Sequence, residues 1–182
     1  MVSIEPPAHK SSFPPVVDGR TRLLVLGSLP GEISLARAQY YANPHNQFWR
    51  LMEAVIGTEI AAQPYEGRIA ALLGAGVGLW DVVRSARRIG SLDANIRDHS
   101  PNALADLVAR LPSLQAIAFN GGKASALGRK VLGDTEVGAL VTLPSSSPAH
   151  AIPFERKLSA WLELKAFLAD RPRASGETAY VR

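Results

Sequence analysis

The sequence predicts an α/β fold with a central, mainly parallel four-stranded sheet covered on both faces by helices. Two observations indicate this class. Four short apolar segments each end in glycine or polar residues, as buried parallel strands do. Segments with helical apolar spacing follow them, and strands alternating with helices are typical of βαβ units. The length of 182 residues fits a single domain.

The elements are assigned in chain order from these patterns. The predicted strands are "RLLVLGS" from Arg22, "GVGLWDVV", "QAIAFNGG" and "GALVTLPSSSPAH". The predicted helices are "QFWRLMEAVIG", "RIAALLGAGV", "LADLVARLPSL", "KASALGRKVL" and the closing "FERKLSAWLELKAFLAD". Residues 1–20, rich in proline, are predicted to form an N-terminal arm, 21–170 the domain, and 171–182 a polar tail.

Composition narrows the range of functions. Hydrophobic residues make up 47% of the chain and charged residues 20%, which is ordinary for a globular protein. No apolar run is long enough to span a bilayer, so we expect a cytoplasmic protein, associated with the nucleoid if it is bacterial. The absence of cysteine excludes disulfides and thiolate chemistry, and the four histidines show no metal-binding spacing. We therefore expect no metal and no cofactor. The net charge of +4 permits a polyanionic partner.

The loops that follow the four strands should form the site, because ligands of parallel sheets bind at the carboxyl ends of the strands. These loops carry amides, hydroxyls, one carboxylate and aromatic rings, without a Walker, dinucleotide-binding or nucleophile-elbow motif. Such an inventory suits a flat heterocycle held near a phosphate backbone. The loops are 27–46, Asp81 with its neighbours, 120–122 and 144–150.

Six segments in this order resemble the uracil-DNA glycosylase superfamily, and most of all its hypoxanthine-DNA (deoxyinosine) glycosylase branch. They are "FPPVVDGRTRLLVLGSLPG", "SLARAQYYANPHNQFWRLM", "GVGLWDVV", "GSLDANIRDHSPN", "IAFNGGKA" and "LPSSSPAHA". The resemblance implies a three-layer α/β/α fold and cleavage of the N-glycosidic bond of a flipped base without a cofactor.

The first catalytic loop departs from the superfamily pattern. "GSLPG" stands where relatives carry GINPG, GMNPG or GQDPY, so Leu29 replaces the Asn or Asp that positions water in those relatives. Asn46 is our first candidate for the missing polar group, and Asn43 the second. The alternative for Asn46 is an N-cap of the following helix, for which Asn is well suited.

The resemblance also assigns a base pocket. Tyr41, five residues before Asn46, is expected to stack on the base, while Tyr40 points away and packs. Asp81 lies where classical uracil glycosylases read the pyrimidine edge with Asn; an ionised carboxylate accepts N1–H of hypoxanthine or N3–H of uracil equally. Its alternative is an N-cap for "VVRSARR". The other predicted base-binding residues are Gly27, Ser28, Leu29, Trp80 and Asn120.

The second motif, "LPSSSPAH", has Leu143 where several relatives carry His or Asn. Its serines are suited to phosphate contacts, and the segment after them to the minor groove; a plain Ser/Pro turn is the alternative. The DNA-binding residues predicted are Pro144, Ser145, Ser146, Ser147, Pro148, His150 and Lys123.

Taken together, we expect a monomeric, monofunctional DNA glycosylase that acts on DNA containing a deaminated base, uracil, hypoxanthine or both. Two alternatives remain open at this stage. One, which the Leu29 and Leu143 departures leave open, is a protein that binds damaged or abasic DNA without turnover. A nucleoside-processing enzyme is the other.

Overall fold

The computed structural model describes residues 9–169, so the predicted tail 171–182 and the first eight residues of the arm lie outside the described part of the chain. A four-stranded, fully parallel sheet forms the centre, in the order β3-β2-β6-β7. Its strands are β2 (Leu23–Gly27), β3 (Val77–Asp81), β6 (Ala116–Asn120) and β7 (Ala139–Leu143). All four predicted strands are confirmed.

Helices cover both faces of this sheet, which confirms the predicted three-layer α/β/α fold. On one face, the apolar sides of α2 (Phe48–Ile56), α3 (Tyr65–Gly74), α6 (Phe154–Leu162) and α7 (Lys165–Leu168) pack on alternate strand residues. On the other face lie α4 (Leu104–Ala109) and α5 (Gly122–Leu132). Successive strand residues point to opposite faces, so each strand contributes to both cores.

Helix ends follow local chemistry. Helix α2 ends at Gly57, whose φ of 70° is the left-handed conformation that glycine adopts without strain. The closing segment forms two helices, α6 and α7, rather than the single helix expected, with Glu163 and Leu164 between them. A short helix, α1 (Glu32–Arg37), follows the "GSLPG" turn and was not predicted.

A second, antiparallel sheet was missed. It has the order β1-β4-β5 and consists of β1 (His9–Ser11), β4 (Val83–Arg87) and β5 (Arg97–Pro101). The alternative role of Asp81 as an N-cap of a helix over "VVRSARR" is therefore wrong, because that segment is strand β4. Strand β4 pairs antiparallel with β1 on one side and with β5 on the other.

No helix among residues 9–169 is both long and apolar enough to cross a membrane.

Candidate active site

The carboxyl ends of the parallel strands surround a cavity of about 600 Å³. Each predicted loop contributes to it: Gly27 ends β2, Asp81 ends β3, Asn120 ends β6, and the Ser-rich loop follows β7. The volume is within the range of small-molecule pockets. The predicted site residues along its wall are Gly27, Ser28, Leu29, Tyr41, Asn43, Asn46, Asp81, Asn120, Lys123, Ser145, Ser146, Ser147, Pro148 and His150.

Asp81 supplies a buried carboxyl group to this cavity. Its side chain is 4% exposed, and Oδ2 has no hydrogen-bond partner among the described residues. Burial, with a further contribution from the charge of Asp93, raises the pKa of Asp81 from 3.8 to about 7, while Arg88 acts in the opposite direction. A buried polar group without a partner is costly, so the arrangement is suited to a ligand that completes the bonding.

The glycine at the end of β2 gives the Asp81 carboxyl its space. A Cβ on Gly27 would lie 2.7 Å from Asp81 Oδ1 and 3.3 Å from Tyr41 Oη. Both distances are too short for an unstrained contact, so glycine is required here for its lack of a side chain.

Tyr41 is held by contacts on three sides. One face of its ring stacks on Phe48, with 3.7 Å between centroids and 12° between planes. Its hydroxyl accepts a hydrogen bond from Asn120 Nδ2 at 3.2 Å, and its carbonyl accepts one from Trp49 Nε1 at 3.2 Å. These contacts hold a residue with a φ of +52°, which is uncommon outside glycine. Burial and the nearby Asp81 raise the pKa of Tyr41, which therefore stays neutral.

Asn120 ties the end of β6 to the second motif. Its Nδ2 donates to Ser146 Oγ at 2.8 Å, and its Oδ1 accepts the backbone N–H of Ser146 at 2.8 Å. Together with the bond to Tyr41, these contacts use both N–H donors of the Asn120 amide and one lone pair of its oxygen. The predicted base-binding residue Asn120 thus lies at the cavity with both of its amide N–H donors already bonded within the protein.

Two further bonds fix the Ser-rich loop. The carbonyl of Ser146 accepts the backbone N–H of Gln47, which joins the loop to the start of α2. The carbonyl of Ser147 accepts a bond from Lys157 Nζ at 3.2 Å, and Lys157 itself is 1% exposed. The sequence offered no signal for Lys157, since a lysine on an amphipathic helix ordinarily faces solvent.

Asn46 bonds the start of α2 and also contributes to the cavity wall. Its Oδ1 accepts the backbone N–H of Phe48, the first residue of α2, at 3.0 Å. The same side chain lies along the cavity wall. Asn43 lies beside it, and its Oδ1 accepts the N–H of His45 at 2.9 Å.

Two predicted site residues lie away from the cavity. Trp80 packs in the core beneath α4 and α5, and its indole N–H donates to the carbonyl of Phe13 at 2.9 Å. Pro144 lies outside the wall as well, with its carbonyl accepting a bond from Trp161 Nε1. Tyr40 packs in the core, as expected from the sequence, but it also contributes to the cavity wall, so the expectation that it points away from the site is wrong.

Sequence reasoning missed Asp93, a polar residue of the cavity wall, and Arg88, a buried cation that bonds the loop beside it. Asp93, in a single 3₁₀ turn between β4 and β5, accepts a 2.5 Å hydrogen bond from Ser28 Oγ. Arg88 is 1% exposed and donates to the carbonyls of Leu29 and Pro30. Leu29 itself packs against Val83 in a small apolar cluster. Asp93 lay within a segment that resembled the superfamily, but its pairing with Ser28 depends on the missed antiparallel sheet.

No group of three or more His, Asp or Glu side chains arranged to hold a metal ion occurs within residues 9–169.

The fold and the cavity define an α/β protein whose site lies at the carboxyl edge of a parallel sheet and combines amide, carboxyl and aromatic groups. The family model described as "Uracil DNA glycosylase superfamily" matches residues 14–169. The chain belongs to this superfamily, and the resemblance described from its motifs is confirmed.

Individual relatives agree with this assignment. The chain is 37% identical to a hypoxanthine DNA glycosylase of Methanosarcina barkeri, over 85% of this chain and 96% of the relative. It is 39% identical to a hypoxanthine DNA glycosylase of Methanosarcina acetivorans, over 84% and 95% of the two chains. A solution NMR structure from M. acetivorans, whose name places it with the uracil DNA glycosylases, has a TM-score of 0.78 and 37% identity, and covers 88% of this chain and 99% of that one.

Proposed function

We propose that the protein is a monofunctional DNA glycosylase that removes hypoxanthine from DNA and leaves an abasic site. The observation that carries the proposal is the buried, unpartnered carboxyl of Asp81 at the cavity wall. Ionised, it accepts N1–H of hypoxanthine, a donor that adenine lacks at that position. The names of the two Methanosarcina relatives support hypoxanthine as the base.

The base enters the cavity by leaving the DNA stack, and Tyr41 offers it an aromatic surface. Because Phe48 covers one face of the Tyr41 ring, only the opposite face is available to a base. The hydroxyls of Ser145 and Ser147, with Lys123 at the start of α5, lie along the same wall and are suited to phosphate contacts.

Hydrolysis needs a water molecule next to the sugar. Asn46 Oδ1 uses one lone pair for Phe48 N–H, so the other is available to accept a proton of this water and orient it. The oxygen of the water bonds to C1′ as the C1′–N9 bond breaks, and the bonding electron pair leaves with the base. The water then gives up a proton to solvent, and the departing base takes one from solvent. Fixed dipoles in a dry pocket stabilise the charges that develop.

Uracil is a second candidate base. Its N3–H meets Asp81 as well as hypoxanthine N1–H does, and the structural relative is named with the uracil DNA glycosylases. We expect the protein to act as a monomer on DNA in either case.

A single assay tests the proposal. Oligonucleotides with hypoxanthine, uracil, xanthine or thymine opposite each normal base are incubated with the protein, treated with alkali and separated on a gel. We expect cleavage after alkali for hypoxanthine, and intact strands without alkali because the enzyme is monofunctional. Binding of these oligonucleotides without alkali-labile product would instead identify a non-catalytic binder of damaged DNA.

A further inference from the structure

The turn between β4 and β5, residues 88–95, exposes apolar side chains beside the cavity; we call it the hairpin tip. Three large apolar side chains are exposed in the described part of the chain: Ile89 at 67%, Leu92 at 54% and Ile33 at 40%. Two of them belong to the hairpin tip, and Ile33 and Leu92 both line the mouth of the cavity. Exposed apolar side chains gathered at one place mark an interaction surface.

The hairpin tip is fixed by a buried cation. The Arg88 guanidinium donates to the carbonyls of Leu29 and Pro30 in the "GSLPG" turn and to the carbonyl of Gly90 within the tip. Lys10, in β1, adds a 2.7 Å bond to the same Gly90 carbonyl. Two cationic side chains therefore anchor a segment whose apolar residues point into solvent.

Bonds to the first catalytic loop complete the anchoring. Ser91 Oγ accepts the backbone N–H of Glu32 at 2.9 Å, and Ser28 Oγ donates to Asp93 on the other side of Leu92. Leu92 is thus held between two attachment points at the cavity mouth. Because its neighbours Ser91 and Asp93 are both hydrogen-bonded, the Leu92 side chain is held in its exposed position.

Positive charge lies behind the apolar tip. Arg87 and Arg97 are register partners in β4 and β5, and both side chains line a groove of about 380 Å³ next to Ile89. Asp98 Oδ2 lies 4.0 Å from Arg87 Nη1, and its negative charge offsets part of the positive charge of the two arginines. The groove thus combines two guanidinium groups, which suit phosphate oxygens, with an apolar side chain at its edge.

We propose that the hairpin tip is a DNA wedge: Leu92 enters the base stack beside the extruded nucleotide, while Arg87 and Arg97 contact backbone phosphates. Extruding a base leaves a gap in the stack, and proteins fill or open such gaps with inserted apolar side chains. The wedge is separate from the Ser-rich loop at 145–150 and faces the same cavity mouth. The proposal rests on the proposed function, because it takes DNA as the substrate.

The test compares Leu92→Ser with Leu92→Phe, which keeps an apolar side chain. Duplex and single-stranded oligonucleotides carry hypoxanthine, with 2-aminopurine next to it as a fluorescent reporter of unstacking. We expect Leu92→Ser to lower the single-turnover excision rate on duplex DNA by about tenfold or more, because unstacking becomes costlier. Its rate on single-stranded DNA should stay at the wild-type value, and Leu92→Phe should retain the duplex rate.

The 2-aminopurine signal separates this proposal from the proposed function. The wild type should raise the fluorescence of the duplex on binding and Leu92→Ser should not, whether or not any base is excised. A full fluorescence rise with Leu92→Ser, none with the wild type, or equal losses of rate on both DNA forms would overturn the wedge.

The salt dependence of DNA affinity tests the proposed phosphate contacts of Arg87 and Arg97. Arg87→Ala with Arg97→Ala should reduce the slope of log affinity against log salt by about two, because each lost phosphate contact lowers it by about one. Arg110→Ala is the control and removes one positive charge elsewhere. Arg110 lies on the connection between α4 and the amino end of β6, whereas the cavity lies at the carboxyl ends of the strands, so its loss should leave the slope unchanged. An unchanged slope in the double variant would remove the arginines from the DNA interface.

Discussion

Asn120 and Ser146 are joined by two hydrogen bonds, one from Asn120 Nδ2 to Ser146 Oγ and one from the Ser146 backbone N–H to Asn120 Oδ1, both 2.8 Å long. The pair connects the end of the third parallel strand to the loop after the fourth. Ser146 is fully buried, so neither bond is exposed to competition from solvent. The pair determines where the Ser-rich loop lies relative to the cavity.

Replacing Asn120 by Ala should therefore act on both stability and excision. It leaves a buried N–H and a buried hydroxyl without partners, at a cost of about 1–3 kcal/mol each before relaxation. Urea denaturation measures the stability, and single-turnover excision the rate. Ser146→Ala, which removes only the Oγ acceptor, should cost less in both measurements. Wild-type stability in Asn120→Ala would show that the pair does not hold the loop.

Substitutions at Asn46 separate its proposed role in positioning water from its hydrogen bond to the start of α2. Asn46→Asp keeps an oxygen for the Phe48 N–H, since Asp and Asn bond helix N-termini equally well. It removes the amide donor and adds a negative charge next to the water. Asn46→Ala removes both functions. We expect Asn46→Ala to abolish excision and to lower stability by about 1 kcal/mol, a few degrees in thermal midpoint.

Asn46→Asp should keep the wild-type midpoint and still change the excision rate. The matched comparison is Asn43→Ala, which removes the neighbouring amide while leaving the Phe48 bond in place. If Asn46→Ala turned over as fast as the wild type, Asn46 would have only the helix-capping role.

The pH dependence of stability should reveal the buried carboxyl of Asp81. Burial raises its folded-state pKa to about 7, above the usual 3.8, so between these values the folded protein holds a proton that the unfolded chain has lost. The free energy of unfolding attributable to Asp81 is therefore greatest below pH 4. It should fall as pH rises toward 7, by at most about 1.4 kcal/mol per pH unit.

Asp81→Asn should remove this slope, which urea denaturation between pH 4 and 8 measures. The groups that face Asp81 are Asp93, Arg88, Tyr40 and Tyr41. Asp93→Asn is the control: it removes a charge that raises the Asp81 pKa, so the fall in stability should persist but end at a lower pH. Equal pH profiles for the wild type and Asp81→Asn would contradict a raised pKa.

The parallel sheet was predictable from the sequence because three of its four strands are buried along their whole length and all four are mostly apolar. The antiparallel sheet was not, since β5 (Arg97–Pro101) contains no large apolar residue and β4 (Val83–Arg87) carries two arginines. β4 pairs with β1, which is distant in the sequence, and with β5 in an irregular register, so the strands show no regular apolar alternation to detect. The exposed hairpin tip and the buried Arg88 were missed for the same reason.

The site was predictable only in part. The loops that meet at the cavity follow from the rule for parallel sheets, and Asp81, Asn46 and Tyr41 all reach it. Trp80 does not, because strand alternation turns its ring to the opposite face, next to α4 and α5. The engagement of Asn120 with Ser146 also required the structure, since nothing in a sequence shows which bonds an amide has already made.

A substitution at Gly27 tests whether the position of the Asp81 carboxyl matters for excision, because the carboxyl lies close to the backbone of β2. In Gly27→Ala, the new methyl group would lie 2.7 Å from Asp81 Oδ1 and 3.3 Å from Tyr41 Oη, so both groups must move. We expect a stability loss of about 1–3 kcal/mol, typical of overpacking. Because the displaced groups line the cavity, hypoxanthine excision should fall by about tenfold or more, since small misplacements of active-site groups have effects of this size.

The control is Gly74→Ala at the end of α3, where a Cβ meets no atom within 4 Å. It should keep full activity and raise stability by up to about 1 kcal/mol. Equal activity in the two variants would show that the position of the Asp81 carboxyl does not matter for excision.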